Sequence, residues 1–294
     1  MRVYTHLTRM LEEHVQELAH LMSSEHGKLL DDSNGELQRG LEVAEFVCGA
    51  PHLQKGEFTQ RAGPGTNVYS IREPLGVVAG ITPFNFPAMI PIWMLAPAIA
   101  VGNAFILKPS GRTPSAAVRL AELALEAGVP PGILNIVHGG KDVGQAITDH
   151  PDIKAVSFVG STSVAKSVYA RGAANGKRMQ CLGGAKNHGV ILPDADLDQV
   201  VAAVLAGAFG SAGERCMSMP VIVPVGQKTA ELVRERLLQE IPKLRVGVAA
   251  VSRRANGSGR HRRTQGEDRG LYPAGCRRGR RVGHRRAGPE LAGP

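Results

Sequence analysis

From Gly76 onward, short apolar runs alternate with segments of helical period, and this alternation limits the possible folds more than any other feature. Gly76–Ile81 has strand length, and Pro87–Val101 follows it as a helix. Ala104–Leu107 is a second strand, and Pro114–Ala127 a helix with Thr113 as N-cap and Pro114 at its first position. Strand Ile133–Val137, helix Asp142–Thr148, strand Ala155–Val159 and a helix over Ser163–Ala173 continue the order. Parallel strands need a crossover helix between them, so this pattern predicts an α/β fold with a doubly wound parallel sheet. After Gly183 the pattern restarts with strand His188–Leu192, helix Asp196–Phe209, strand Val221–Val225 and helix Lys228–Leu244. The expected division is a first domain over residues 1–185, the start of a second α/β domain over 186–250, and a tail over 251–294.

Ahead of the alternation, Leu7, Met10, Leu11, Val15, Leu18 and Met22 recur at helical spacing. Ser33 and Glu36 fit a capping box that opens a second helix, whose apolar face is Leu37, Leu41 and Ala44. Gly63-Pro64-Gly65 reads as a loop. Residues 75–107 carry no charge, but Pro83, Pro87, Pro91 and Pro97 interrupt them and Asn85 and Asn103 lie among them. A buried strand, loop and helix fit this stretch better than a membrane span.

The net charge of +9 would suggest nucleic acid if it were spread over the body. Residues 251–294, however, hold twelve arginines, no lysine and three acidic residues, which is the whole excess; residues 1–250 balance at 23 of each sign. The body gives no charge argument for nucleic acid. The tail is rich in Arg, Gly, Pro and Ala and has no periodic apolar pattern. It reads as a disordered basic tail or as translation in a shifted frame, the abrupt change and the loss of lysine favouring the second. Cys48, Cys181, Cys216 and Cys276 form no C-x-x-C pair, and no His cluster has zinc spacing, so neither a metal site nor a disulfide framework is expected. With no apolar core in the charged first helix to serve as a signal peptide, the cytoplasm is the expected compartment.

Two segments carry candidate chemistry. Ile81-Thr82-Pro83-Phe84-Asn85-Phe86-Pro87 leaves a strand and enters a proline-bounded helix, and Asn85 offers an amide N–H to a developing oxyanion. Its plainer reading is a turn whose Asn satisfies local backbone. Cys216 lies in Gly210-Ser211-Ala212-Gly213-Glu214-Arg215-Cys216, where a loop setting beside Arg215 suits a nucleophilic thiol. A lone cysteine is more often a small buried hydrophobe, the reading given to Cys48.

These segments, with Ile106-Leu107-Lys108-Pro109-Ser110, Ser157-Phe158-Val159-Gly160-Ser161 and Leu182-Gly183-Gly184-Ala185-Lys186-Asn187, resemble the aldehyde dehydrogenase superfamily in the right order. Gly-Ala-Lys-Asn-His and Gly-Glu-Arg-Cys-Met resemble its CoA-acylating methylmalonate-semialdehyde branch. The resemblance covers roughly residues 3–250 and none of 251–294, and it lacks the family's N-terminal strands, its oligomerisation strands and the rest of its catalytic domain. It implies a dinucleotide-binding domain followed by the start of a catalytic domain, with NAD as cofactor and coenzyme A as cosubstrate. By position, Thr82 and Phe84 line the nicotinamide side, Lys108 reaches the adenosine ribose, Ser161 meets the pyrophosphate, and Gly183 joins the cofactor site. Gly111, followed by Arg112, stands where the family carries a ribose-binding Glu, which weakens the expected grip on NAD. Cys216 is the implied nucleophile, Asn85 the oxyanion donor, and Arg39 and Arg215 the anchors of the substrate carboxylate. Cys181 occupies the place of the general base of hydrolytic relatives, which favours thiolysis by CoA over hydrolysis.

The implied reaction oxidises methylmalonate or malonate semialdehyde to an acyl-CoA with loss of CO2, through a Cys thioester. The expected partner is a small aldehyde, with neither nucleic acid nor membrane, and the complete family forms homo-oligomers. A chain whose family pattern stops near residue 250 is expected to turn over little or not at all. Two other classes remain open at this stage: a hydrolytic aldehyde dehydrogenase, and a non-catalytic remnant.

Overall fold

The computed structural model describes residues 2–244 and residue 247, so the tail over 251–294 lies outside the described residues. The first helical pattern is divided into α1 (Arg2–Glu13) and α2 (Val15–His26), which break at His14. Next come α3 (Leu30–Val47) and the single turn α4 (Ala50–Leu53). The capping box at Ser33 does not form. α3 begins at Leu30; the Ser33 hydroxyl hydrogen-bonds that of Ser23, and the Glu36 carboxylate is used by another helix. The residues around Gly63-Pro64-Gly65 form a hairpin, β1 (Phe58–Gly63) against β2 (Thr66–Tyr69), whose strands carry no buried face and so gave no period-2 signal.

The main sheet is five-stranded and wholly parallel: β3 (Val77–Ile81), β4 (Ala104–Lys108), β5 (Leu134–Ile136), β6 (Ile153–Val159) and β7 (Arg178–Leu182), in spatial order β5-β4-β3-β6-β7. Its crossovers are α5 (Met89–Ala100), α6 (Ser115–Glu126), α7 (Lys141–Asp149) and α8 (Thr162–Ala174). The pleat sends alternate residues to opposite faces. Phe105, Leu107 and Val78 enter a core with α5, α6 and the first three helices, while Ala79, Ile81, Val156 and Phe158 enter a second core with α7 and α8. The sheet is therefore doubly wound, and the uncharged stretch 75–107 is β3, α5 and part of β4. Among the described residues no helix is long and apolar enough to cross a membrane.

α3 lies directly on α5, where an added Cβ on Gly40 would stand 2.8 Å from Ile92 Cδ1, the flexible end of that side chain. α6 starts one residue later than its sequence signals indicate. Pro114 takes the cap position, and Thr113 is free to donate its hydroxyl to the Phe84 carbonyl at 3.1 Å. β7 alternates between exposed and half-buried residues and carries no apolar run, so the sequence did not mark it. A second parallel pair follows, β8 (His188–Ile191) with β9 (Val221–Pro224), together with α9 (Leu197–Phe209) and α10 (Gln227–Glu240). Asp196 caps α9 by accepting from the Asp198 and Gln199 amides. α10 ends at Glu240, short of Leu244, and passes into a 3-10 turn over Ile241–Lys243.

Candidate active site

The chain runs from central β3 outward to β4 and β5, then returns to lay β6 and β7 on the other side. In open parallel sheets, ligands bind beyond the carboxyl ends of the strands where the order reverses, here between β3 and β6. Every residue singled out for the cofactor lies at this edge. Thr82 and Phe84 leave β3, Lys108 ends β4, Gly111 and Arg112 form the turn after it, Ser161 follows β6, and Gly183 follows β7.

Their environments differ. Thr82 is buried, and its hydroxyl has no hydrogen-bond partner among the described residues. The Phe84 ring stacks on His26 with centroids 5.9 Å apart, and the Arg112 guanidinium lies 5.1 Å from its centre. Lys108 is buried, donates to its neighbour's carbonyl, Pro109 O, at 3.2 Å, and burial pushes its pKa down. Ser161 is exposed in the N-cap position of α8, yet its hydroxyl makes no cap hydrogen bond, so the first amides of α8 keep their capacity for an anion. A Cβ on Gly183 would press to 3.1 Å against Thr162 Cα, and the Gly184 amide donates to Thr162 Oγ1 at 3.0 Å. These glycines let the exit of β7 lie against the start of α8. At Gly111 an added Cβ meets nothing within 4 Å.

The loop that carries Cys216 enters from α9 through a strained turn in which Ser211 and Ala212 hold φ of 53° and 55°. Left-handed backbone at non-glycine residues is uncommon and concentrates at functional sites. Cys216 follows, exposed and with a free thiol. Asn85, 129 residues earlier in sequence, donates its side-chain amide to Glu214 O at 2.9 Å. That nitrogen carries two hydrogens, so one remains for a ligand.

Asn85 is itself held by a buried ion pair. Lys28 Nζ donates to Glu36 Oε2 and to Asn85 O, both at 2.6 Å, and sits 4.7 Å from the Phe86 ring centre. The other Glu36 oxygen accepts from the Ala88 and Met89 amides at 2.8 and 3.0 Å, a carboxylate at the start of α5 where the helix dipole favours it. Nearby, His26 is buried with no hydrogen-bond partner on either ring nitrogen among the described residues, and Nε2 is 3.5 Å from Glu214 Oε2. Burial, then the Lys28 charge, pushes the His26 pKa down to about 4. Burial also raises the Glu214 carboxyl, against the pull of Arg112 and Lys28.

Arg215 donates to Asp32 Oδ1 at 2.5 Å. Arg39 is exposed on α3 seven residues beyond Asp32, about two turns along, so both arginines approach one face of that helix. Cys181 is half-buried in the core under α8, and burial raises its thiol pKa; Leu182 is the exposed residue at the end of β7. Neither side chain offers a carboxylate. Sequence reasoning missed Lys28, Glu36, His26, Asp32 and the side-chain role of Asn187, which donates to Cys216 O at 2.9 Å and Ser218 O at 2.8 Å. Asn187 stood in a marked motif and Glu36 at capping-box spacing; His26 and Asp32 come from helices whose sequence shows only amphipathic spacing, and Lys28 from the turn between α2 and α3. Among the described residues, no cluster of three or more His, Cys, Asp or Glu is placed to hold a metal ion.

The aldehyde dehydrogenase family model matches residues 1–264, spanning both the dinucleotide edge and the Cys216 loop. The chain belongs to the aldehyde dehydrogenase family. The match extends past residue 250, where the sequence pattern alone placed its end. Malonate-semialdehyde dehydrogenase of Pseudomonas aeruginosa is 51% identical over 239 residues, covering 81% of this chain and 48% of that protein. The mitochondrial acylating methylmalonate-semialdehyde dehydrogenase of Arabidopsis thaliana is 51% identical over 245 residues, covering 83% and 40%. A structure from Sinorhizobium meliloti, described as a methylmalonate-semialdehyde dehydrogenase complexed with NAD, superposes with a TM-score of 0.84 at 54% identity, covering 95% of this chain and 57% of that one. The chain spans about half the length of the curated relatives it matches.

Proposed function

We propose that this chain carries the NAD-binding edge and the nucleophile of a CoA-acylating semialdehyde dehydrogenase, acting on malonate or methylmalonate semialdehyde. The observation that carries the reading is the hydrogen bond from Asn85 to Glu214 O, which brings the loop of the dinucleotide edge to within two residues of Cys216. The names of the relatives support the substrate class and the acylating chemistry. The unpartnered Thr82 hydroxyl and the open N-terminus of α8 suit the nicotinamide and pyrophosphate ends of NAD, and Lys108, Arg112 and Gly183 complete the edge.

In this mechanism the Cys216 thiolate adds to the aldehyde carbon. The remaining Asn85 hydrogen and the Cys216 backbone N–H hold the oxyanion that forms. Thr82, Lys108 and the start of α8 would hold NAD, which would supply the hydride acceptor as Cys216 becomes a thioester. Arg215 and Arg39 hold the substrate carboxylate through a face of α3, with Asp32 keeping the Arg215 guanidinium in place until substrate arrives. A malonyl-type thioester can then lose CO2. With no carboxylate at Cys181 or Leu182 to activate water, the CoA thiol takes the acyl group and Cys216 leaves as thiolate. A free nucleophilic thiol suits a reducing compartment such as the cytoplasm, and we expect the complete protein to be a homo-oligomer. A hydrolytic enzyme is the second reading.

The test is NADH formation by the chain from malonate semialdehyde and NAD, with and without CoA, beside Cys216→Ala. The expected result, at the low rate expected of a chain that spans about half the length of its relatives, is at most one equivalent of NADH without CoA, more with it, and none from the variant. Release without CoA as fast as with it overturns the acylating reading, and NADH from Cys216→Ala overturns the nucleophile.

A further inference from the structure

The loop that carries Cys216 belongs to no helix or strand, so its carbonyls depend on side chains for partners. Three alternate carbonyls are taken by two asparagines. Asn85 donates to Glu214 O, while Asn187 donates to Cys216 O and Ser218 O. One of the two intervening carbonyls, Arg215 O, accepts from the Ser218 amide at 3.2 Å, and the Met219 amide donates to Gly207 O at 3.0 Å. In a planar trans peptide the C=O and N–H of one unit point in opposite directions. Turning Arg215 O toward Ser218 therefore turns the Cys216 N–H to the other side. Drawing Cys216 O toward Asn187 fixes the next unit and, with it, the direction in which the Cys216 side chain leaves the backbone.

Asn187 is well placed to set this geometry. It immediately precedes β8, whose first residue, His188, pairs with Val221 at the start of β9. The sheet thus fixes Asn187 on one side of the loop, and the loop's exit on the other. Both hydrogens of its amide are used, one for each carbonyl.

We infer that Asn187 is a positioning residue for the nucleophile: its amide clamps the carbonyls of Cys216 and Ser218 and so sets the direction in which the Cys216 thiol leaves the backbone. The inference rests on Cys216 being the nucleophile. Asn187 itself acts only through the loop.

The experiment uses the full chain with Asn187→Ala and Asn187→Asp. The aspartate has the same shape, but when ionised it has no donor and faces two carbonyl oxygens. A role in filling space leaves Asn187→Asp close to the original, whereas a role as donor makes it at least as impaired as Asn187→Ala. Losing two hydrogen bonds is expected to speed hydrogen exchange of the amides from Arg215 to Met219 about tenfold or more. Exchange in β3 to β7 is expected to stay as it was. The rate of the first NADH formed, at saturating NAD and malonate semialdehyde, is expected to fall about tenfold to a hundredfold in both variants. NAD affinity is expected to stay within about twofold, since Asn187 does not contact the dinucleotide edge. If either variant does not fold, Asn187→Gln, which keeps the donor one methylene farther away, gives the same readouts at reduced size.

Unchanged exchange, or Asn187→Asp behaving like the original, overturns the clamp. Faster exchange with an unchanged first-turnover rate shows a loop tie that positions nothing, and also overturns it. If Cys216→Ala forms NADH as fast as the unaltered chain while the exchange result holds, the nucleophile reading falls and takes the positioning role with it. If the unaltered chain forms NADH but exchange is unchanged, only the role of Asn187 falls.

Discussion

Replacing Lys28 with methionine tests how the loop that carries Asn85 is held. The Lys28 and Glu36 side chains are 1% and 0% exposed, and Nζ makes two charge-assisted hydrogen bonds at 2.6 Å, to Glu36 and to Asn85 O. Lys28→Met leaves the Glu36 carboxylate buried with only the Ala88 and Met89 amides for partners. Removing one member of a buried ion pair costs about 3–5 kcal/mol, because the other charge is left uncompensated. At roughly 2–4 °C per kcal/mol for a chain of about this size, the midpoint of thermal unfolding falls by about 6–20 °C. The double change Lys28→Met with Glu36→Gln is expected to recover more than half of that loss. The glutamine oxygen still accepts from the start of α5, and no unpaired charge remains. Urea unfolding of the single and double variants measures the free-energy costs, and thermal unfolding the shift in midpoint. A Lys28→Met cost below about 1 kcal/mol, or a double variant no better than the single, would refute the reasoning.

Three further outcomes follow. The exposed Cys216 is expected to be alkylated before half-buried Cys48 and Cys181, the last with its thiol pKa raised by burial; mass spectrometry after limited alkylation would show the order, and earlier labelling of Cys181 would count against the site. Gly111→Glu fits into open space and is expected to tighten NAD binding about tenfold by a carboxylate–ribose hydrogen bond, read by titration; no gain removes the ribose argument. His26 has its folded pKa lowered from 6.5 to about 4, so the stability it contributes is complete above pH 6.5 and is lost as pH falls toward 4, by about 3 kcal/mol. The neighbouring Glu214, raised by burial, works in the opposite sense, so the useful quantity is the difference in unfolding free energy between the chain and His26→Gln. A difference that does not change over that range contradicts the assignment.

The doubly wound core was legible because each strand of its centre is an apolar run and each crossover helix is punctuated by Pro, Gly or Thr. What was not legible was partnership. Ser33 and Glu36 stand at capping-box spacing, yet the Glu36 carboxylate serves α5, more than fifty residues on, because Lys28 and the turn at Ala88 offer it more than its own helix does. Thr113 likewise donates across to Phe84 O instead of accepting from the first amides of its own helix. The β1–β2 hairpin and β7 lack an apolar face, so periodicity had nothing to report. In the site, Cys216 and Asn85 could be marked by motif, but that Asn187 and Lys28 hold their backbones depends on carbonyl directions fixed only by the fold.

The central claim is that Cys216 carries the acyl group. Incubating the chain with NAD and malonate semialdehyde in the absence of CoA, then sequencing its peptides by mass spectrometry, tests this directly. An acyl thioester on Cys216 that disappears when CoA is added is the expected result. An acyl group on another residue, or an adduct on Cys216 that CoA does not remove, would contradict it.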